Sequence, residues 1–166
     1  MRRVREIRIE GDLAFIPLSR GLEAVIDAVD VPLAAGRNWY ALKACRTFYA
    51  VSKTSSLDGP RQLISLHRTI CPSTEVTDHR DGNGLNCRRS NLRAASIAQN
   101  AMNRRRPANA SPGLKGVTFH RQCQAWQAQI KVCGKAIYLG LYRTPGEAHS
   151  AYRAASQRLH GEFGRA

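Results

Sequence analysis

Long apolar runs are missing from this 166-residue chain. No stretch approaches the roughly 20 residues that a bilayer-spanning helix needs, and the opening MRRVREIRIEGD has none of the apolar core that marks a signal peptide. Membrane attachment and export are therefore not expected. Paired cysteines are missing too. The five cysteines, Cys45, Cys71, Cys87, Cys123 and Cys133, are odd in number and contain no CxxC pair, which excludes a disulfide framework and a four-cysteine zinc clamp and points to free thiols in a reducing cytoplasm. Acidic residues are scarce, 12 against 26 lysines and arginines, and the formal charge of +14 calls for a polyanionic partner. The positive residues run through the whole chain instead of one tail, so the electrostatic footprint is long. A hydrophobic content of 43% suffices for modest cores only, in one medium domain or two small ones.

What the chain does hold is concentrated in residues 75–106, EVTDHRDGNGLNCRRSNLRAASIAQNAMNRRR. Asp78 and His79 close a strand, Asp81, Gly82, Asn83 and Gly84 form a loop, and Asn91-Leu92-Arg93 opens a second strand. Ser96 as N-cap with Gln99 three residues on is a capping-box spacing, so a helix starts there with Asn100 in its first turn. Strand, loop, strand, helix is the order.

These residues resemble an HNH endonuclease of the ββα-metal type, the branch common among phage and intron-encoded homing nucleases. The resemblance rests on Asp78-His79, on Ser90-Asn91-Leu92-Arg93 and on Asn100. It implies that His79 is the general base, that Asp78 and Asn100 bind one divalent ion, and that Asn91 holds the loop so that the histidine is aimed. The chemistry is coherent. Phosphodiester hydrolysis needs a base for water and a cation for the charge that builds on phosphorus and on the leaving oxygen. A neutral histidine, with a free pKa of about 6.5, takes a proton at physiological pH without a large shift. A carboxylate oxygen and an amide oxygen suit a hard ion, Mg²⁺ first and Mn²⁺ as the alternative, whereas zinc wants more nitrogen or sulfur. Adjacent strand residues point to opposite faces, so Asp78 and His79 flank a phosphate instead of meeting at one atom.

Upstream, residues 7–18 alternate around Glu10-Gly11-Asp12 as a hairpin. Leu22, Val25, Ile26 and Val29 fall at helical spacing and predict a short helix stopped by Pro32. Residues 39–42 and 47–51 read as two strands, and 62–70 as a third. Trp39, Phe48 and Tyr49 read as core aromatics, and His67 as a strand histidine satisfied by a backbone carbonyl. Arg46, Lys53, Arg61 and Arg68 are candidate phosphate contacts. Downstream, Arg104, Arg105 and Arg106 lead into a Pro-containing linker at 107–113. Residues 114–120, 125–132 and 135–142 predict three strands, the last two joined tightly at Cys133-Gly134. A helix capped by Thr144, Pro145 and Glu147 follows, with Ala148, Ala151, Tyr152, Ala155 and Leu159 on one face before Gly161.

This last segment resembles the Apetala/ethylene-response-factor (ERF) type of DNA-binding domain, through Lys115-Gly116-Val117, residues 126–130, Tyr138-Leu139-Gly140 and the helix with Glu147-Ala148 and Ala151-Tyr152. In that family the sheet, not the helix, enters the major groove. The resemblance places Lys115, Thr118, His120, Gln129, Lys131 and Tyr138 on the DNA side, while Trp126, Ala128 and Ile130 face the helix with Ile137 and Leu139. Thr118, His120 and Ala136 stand where the plant domains carry arginines, so their target sequence does not transfer.

The expectation is an α+β protein with an HNH nuclease domain at 1–106, an N-terminal antiparallel β platform within it, a linker at 107–113 and an ERF-like domain at 114–166. It is expected to cut double-stranded DNA in the cytoplasm of a bacterial or phage-infected cell. One divalent ion serves it, and a monomer is the favoured state. Arg93, Arg104 and Arg105 join the DNA contacts. The alternative is a DNA-binding regulator without catalysis.

Overall fold

The computed structural model describes residues 4–44, 47–54, 60–104 and 113–165. Cys45, Arg46, Arg105, Arg106 and positions 107–112 of the expected linker lie outside the described residues. The fold is α+β, with small antiparallel sheets and short helices. The chain divides into two compact units, Met1–Ser96 and Ile97–Ala166.

In the first unit, β1 (Arg8–Glu10) and β2 (Leu13–Pro17) form the expected hairpin, turned by Gly11 at a φ of +58° that favours glycine. Instead of the helix expected at 22–29, β3 (Glu23–Asp27) pairs with β2. Overlapping the stripe Leu22, Val25, Ile26, Val29 is a two-residue alternation, Leu22, Ala24 and Ile26. Ala24 and Ile26 are fully buried, whereas Val29, which the helix was to bury, is 76% exposed. The other edge of β3 is occupied as well, because Val25 N–H donates to Leu85 O at 2.9 Å and Cys87 N–H to Val25 O at 2.8 Å. Sheet pairing outweighs a weak local periodicity over so few residues.

Pro32 sits near the start of α1 (Val31–Ala34). Trp39 is buried and its indole N–H donates to Ala34 O at 2.8 Å, so it is the core anchor expected. Strands β4 (Tyr40–Ala44), β5 (Thr47–Lys53) and β6 (Leu63–Ser65) make the second sheet. The third strand expected over 62–70 ends after three residues, and α2 (Leu66–Ile70) replaces the rest. Leu66 and Ile70, four apart, both bury in the core, a spacing that one helix face meets. His67 accordingly lies on a helix. Strands β7 (Val76–His79) and β8 (Leu92–Ala95) then pair Asp78 with Arg93 and His79 with Leu92.

The second unit opens with α3 (Ile97–Met102), which starts directly after Ser96 as the capping spacing predicts. Its sheet is β9 (Val117–His120), β10 (Ala125–Val132) and β11 (Lys135–Tyr142), in the order β11-β10-β9. Cys133 and Gly134, at φ +46° and +80°, make the tight turn, with both central residues left-handed as a type I′ turn demands. Helix α4 (Pro145–His160) has the full capping box: Thr144 Oγ1 accepts from Glu147 N–H at 3.2 Å and Glu147 Oε2 accepts from Thr144 N–H at 3.1 Å. Ala148, Tyr152 and Ala155 pack against Val117, Ala128 and Ile130, in a core whose small helix residues permit close approach. Gly116 is required here. A Cβ at that position would lie 1.9 Å from the Tyr152 ring.

Candidate active site

Asp78 and His79 end β7, and strand alternation sends them to opposite sides. Both are buried, at 5% and 4% exposed, so the site is built into the first unit and is not a surface patch. On one side Asp78 meets Arg93, its cross-strand partner: Arg93 Nε and Nη2 donate to Asp78 Oδ2 at 2.9 and 2.8 Å. Arg93 is itself only 7% exposed. Its guanidinium is engaged inside the unit and holds the carboxylate in one orientation. On the other side the His79 ring lies 5.0 Å from the His67 ring, edge to face, and 5.7 Å from that of Tyr49. Tyr49 also tilts against His67 at 5.3 Å.

Asn91 laces the loop that follows. Its side-chain oxygen accepts from Asp81 N–H at 3.0 Å, and its amide nitrogen donates to Asp81 Oδ1 at 3.0 Å and to Asn86 O at 2.7 Å. Its backbone carbonyl accepts from Arg80 N–H at 2.8 Å. Asp81 is the hub, also accepting from Asn83 N–H and from the Asn86 side chain, both at 2.8 Å. Burial alone raises its pKa, but these hydrogen bonds and the nearby His79 pull it below the ordinary carboxylate value. The far end of the loop is pinned to the N-terminal platform. Asp27 accepts from Arg89 N–H at 2.7 Å, and the buried Asp30 takes Arg89 through a fork of 2.7–3.1 Å bonds.

Burial lowers the pKa of His79, with Asp81 and Asp78 opposing the shift, so the imidazole is neutral at physiological pH and able to accept a proton. His67 goes further, down to about 3, first through burial and then through His79 and Arg68. The backbone carbonyl expected for His67 is absent at Nδ1, which is buried without a hydrogen-bond partner. Sequence reasoning missed His67, Tyr49 and Cys87 as neighbours of His79. Cys87 is fully buried with Sγ 3.8 Å from His79 Nε2, and its thiol is pushed up to about 12 by burial and by Asp81. No local pattern links these residues, which three separate elements bring together.

Of the two residues expected to bind a divalent ion, Asp78 offers a carboxylate at the end of β7 in the first unit and Asn100 lies on α3 in the second. Among the described residues no three His, Cys, Asp or Glu gather as a ready-made metal cage. Two hard oxygens fit an ion that keeps most of its waters.

In the second unit, Thr118, Gln129, Lys131 and Tyr138 project from the sheet face turned away from α4, and Tyr138 is 60% exposed. His120 lies on the same side and accepts from Cys123 N–H through Nδ1 at 3.3 Å. The Trp126 ring is tilted against that of Phe119 at 4.9 Å and packs toward the helix, with Ala128 and Ile130 buried. Ile137 pairs with Ile130 yet is 40% exposed, because β11 is an edge strand. Lys115 behaves differently from the other basic candidates. Its ammonium donates to Met102 O at 2.6 Å and to Arg165 O at 2.8 Å, and its pKa falls to about 8, first through burial and then through Arg165. Arg104, like Lys53, Arg61 and Arg68 of the first unit, is exposed. No helix among the described residues is long and apolar enough to cross a membrane.

Residues 66–102 match the family described as HNH endonuclease. Two plant proteins are 40% identical over 58 residues, 35% of this chain: an AP2-like ethylene-responsive transcription factor of Arabidopsis thaliana and the APETALA2-like protein 2 of Oryza sativa subsp. indica. The chain spans only 12% and 13% of their lengths. No solved structure matches the chain. Protein 3.8 of Escherichia phage T7 is 30% identical over 91 residues, which cover 49% of this chain and 75% of that protein. Alongside the match of residues 66–102 to the HNH endonuclease family, this places the chain in the family of phage T7 protein 3.8.

Proposed function

We propose that this protein is a metal-dependent endonuclease of the homing type that hydrolyses phosphodiester bonds of double-stranded DNA. The observation that carries the reading is a neutral, buried His79 beside a loop laced by Asn91, inside the residues that match the HNH endonuclease family. His79 accepts the proton of the attacking water as the new P–O bond forms, and the leaving oxygen departs with the P–O bond that breaks. Asn91 holds the loop so that His79 keeps its aim. Asp78, steadied by Arg93, and Asn100, assigned by its spacing in the motif, hold one Mg²⁺ or Mn²⁺ ion. When bound, such an ion supplies positive charge against the phosphorane and the leaving oxygen. The outer sheet face of the second unit, with Thr118, His120, Gln129, Lys131 and Tyr138, reads DNA. The net charge of +14 supports a DNA partner over any acidic small molecule.

The test is supercoiled plasmid incubated with the protein and Mg²⁺. Nicked or linear product that disappears in excess EDTA and returns with Mg²⁺ or Mn²⁺ supports the reading, whereas full activity in EDTA rejects the metal. The plant matches favour a second reading, a DNA-binding regulator without catalysis. Tight duplex binding with no cleavage under any divalent ion would establish that one instead.

A further inference from the structure

Three side chains that the proposed cleavage does not use surround His79. Tyr49 and His67 meet its ring with their own rings, which fixes the plane of the imidazole but not its protonation. Cys87 alone of the three brings a polar atom to a ring nitrogen, with Sγ 3.8 Å from Nε2. The same sulfur lies 3.8 Å from Gly84 O, which can only accept. A thiol has one proton to give. Given to Gly84 O, it leaves the sulfur to accept from His79 Nε2–H, and every contact in the chain has a donor and an acceptor. Given to Nε2, it leaves sulfur and carbonyl oxygen facing each other with no proton between them.

We infer that Cys87 is a positioning residue for His79: it accepts from Nε2–H, donates to Gly84 O, and so selects the tautomer in which Nδ1 is the proton-accepting nitrogen. The inference rests on the reading of His79 as general base. The thiol, with a pKa of about 12, stays protonated. It is thus an uncharged thiol and not the thiolate of a nucleophilic cysteine. The charged and titratable groups that face the pair are Asp81, Asp78, His67 and Tyr49. The anchor is rigid from two directions. Gly84 N–H donates to Thr47 Oγ1 at 2.9 Å, and a Cβ on Gly84 would lie 2.5 Å from Phe48 O, so the carbonyl that receives the thiol is seated tightly on β5. Cys87 N–H is tied to β3 at Val25 O.

The test uses the full chain labelled with ¹⁵N-histidine. Long-range ¹H–¹⁵N spectra near neutral pH report the tautomer of each histidine, and the His79 signals are those lost in His79→Ala. The wild-type protein should show His79 as the Nε2–H form. In Cys87→Ala that signature should give way to a mixture or to Nδ1–H. Cleavage kcat should fall by about 10–100-fold, the usual cost of losing an orienting partner, with KM unchanged. Cys87→Ser, which keeps a donor and an acceptor, should restore the Nε2–H signature and most of the rate. A wild-type His79 in the Nδ1–H form overturns the inference, and so does a Cys87→Ala protein with unaltered tautomer and rate. If Cys87→Ala does not fold by circular dichroism, the wild-type and Cys87→Ser spectra decide on the same criterion. A protein that cuts no DNA, yet loses the Nε2–H signature in Cys87→Ala, refutes the nuclease reading and leaves the positioning role standing.

Discussion

At the scale of single residues, His79 and Arg93 separate chemistry from architecture. His79→Ala removes the proton acceptor and should lower single-turnover cleavage by about 10²–10⁴-fold, the worth of general acid–base catalysis, with duplex affinity nearly intact. A mutant that cleaves at the wild-type rate would remove His79 from the mechanism. Arg93 has a different cost. Arg93→Ala leaves the Asp78 carboxylate, 5% exposed, buried without its guanidinium, and should destabilise the protein by about 3–5 kcal/mol in urea unfolding. The double variant Asp78→Asn, Arg93→Met should be less costly than Arg93→Ala alone, since no charge is then stranded. Loss of DNA affinity with unchanged stability would instead make Arg93 a phosphate contact.

At the scale of elements, α3 is the vulnerable piece. It has six residues, too few to persist alone in water. Met102 O is held by Lys115, and the helix packs on the 3-10 turn Gly161–Phe163. A chain ending near Arg106 lacks both, so it should lose helix protection at 97–102 in hydrogen exchange and lose cleavage as well as affinity. Retained protection there would show that α3 stands without them. Much of this was legible beforehand. The bounds of β10 and β11 and the start and end of α4 follow from alternation, a left-handed two-residue turn and a capping box, all of which are local. The strand at 23–27 was not legible, because its pattern fits two periods and is decided by pairing with β2 and by bonds to Leu85 and Cys87, sixty residues away in sequence. The neighbours of His79 were hidden for the same reason. His67 and Tyr49 come from an unforeseen helix and a foreseen strand, and their convergence is tertiary.

At the scale of the whole molecule, charge and protons set the expected behaviour. A phosphate contact removed should flatten the log–log salt dependence of duplex binding by close to one unit. Lys131→Ala should show that change, since its side chain projects from the outer sheet face. Lys115→Ala should not, because its ammonium is engaged by Met102 and Arg165 carbonyls, and it should lower stability instead. Equal slopes for the two variants would undo that distinction. Acid should act through the buried histidines. Folding holds His67 down at about 3 and lowers His79, whereas in the unfolded chain both protonate near the free value of about 6.5. Their contribution is complete above that pH and is lost as pH falls; for His67 the loss runs toward pH 3 at about 1.4 kcal/mol per pH unit. Urea unfolding at stepped pH should show this slope, shallower in His67→Phe. An unchanged slope in that variant would place the acid sensitivity elsewhere.

The loop between Arg80 and Asn91 is closed at its mouth by Arg80 N–H on Asn91 O, tied across by Asn91 to Asp81, and pinned at Cys87 and Arg89 to β3 and the turn after it. Its length is therefore the quantity under tightest constraint. One added or deleted residue would move Arg93 off Asp78 and turn each following side chain of β8 to the opposite face. Descendants of this sequence can change by replacement at the loop's exposed positions, such as Ser90, but not by insertion. Length variation belongs at the Glu10–Asp12 hairpin and other exposed turns, where nothing downstream is counted in residues.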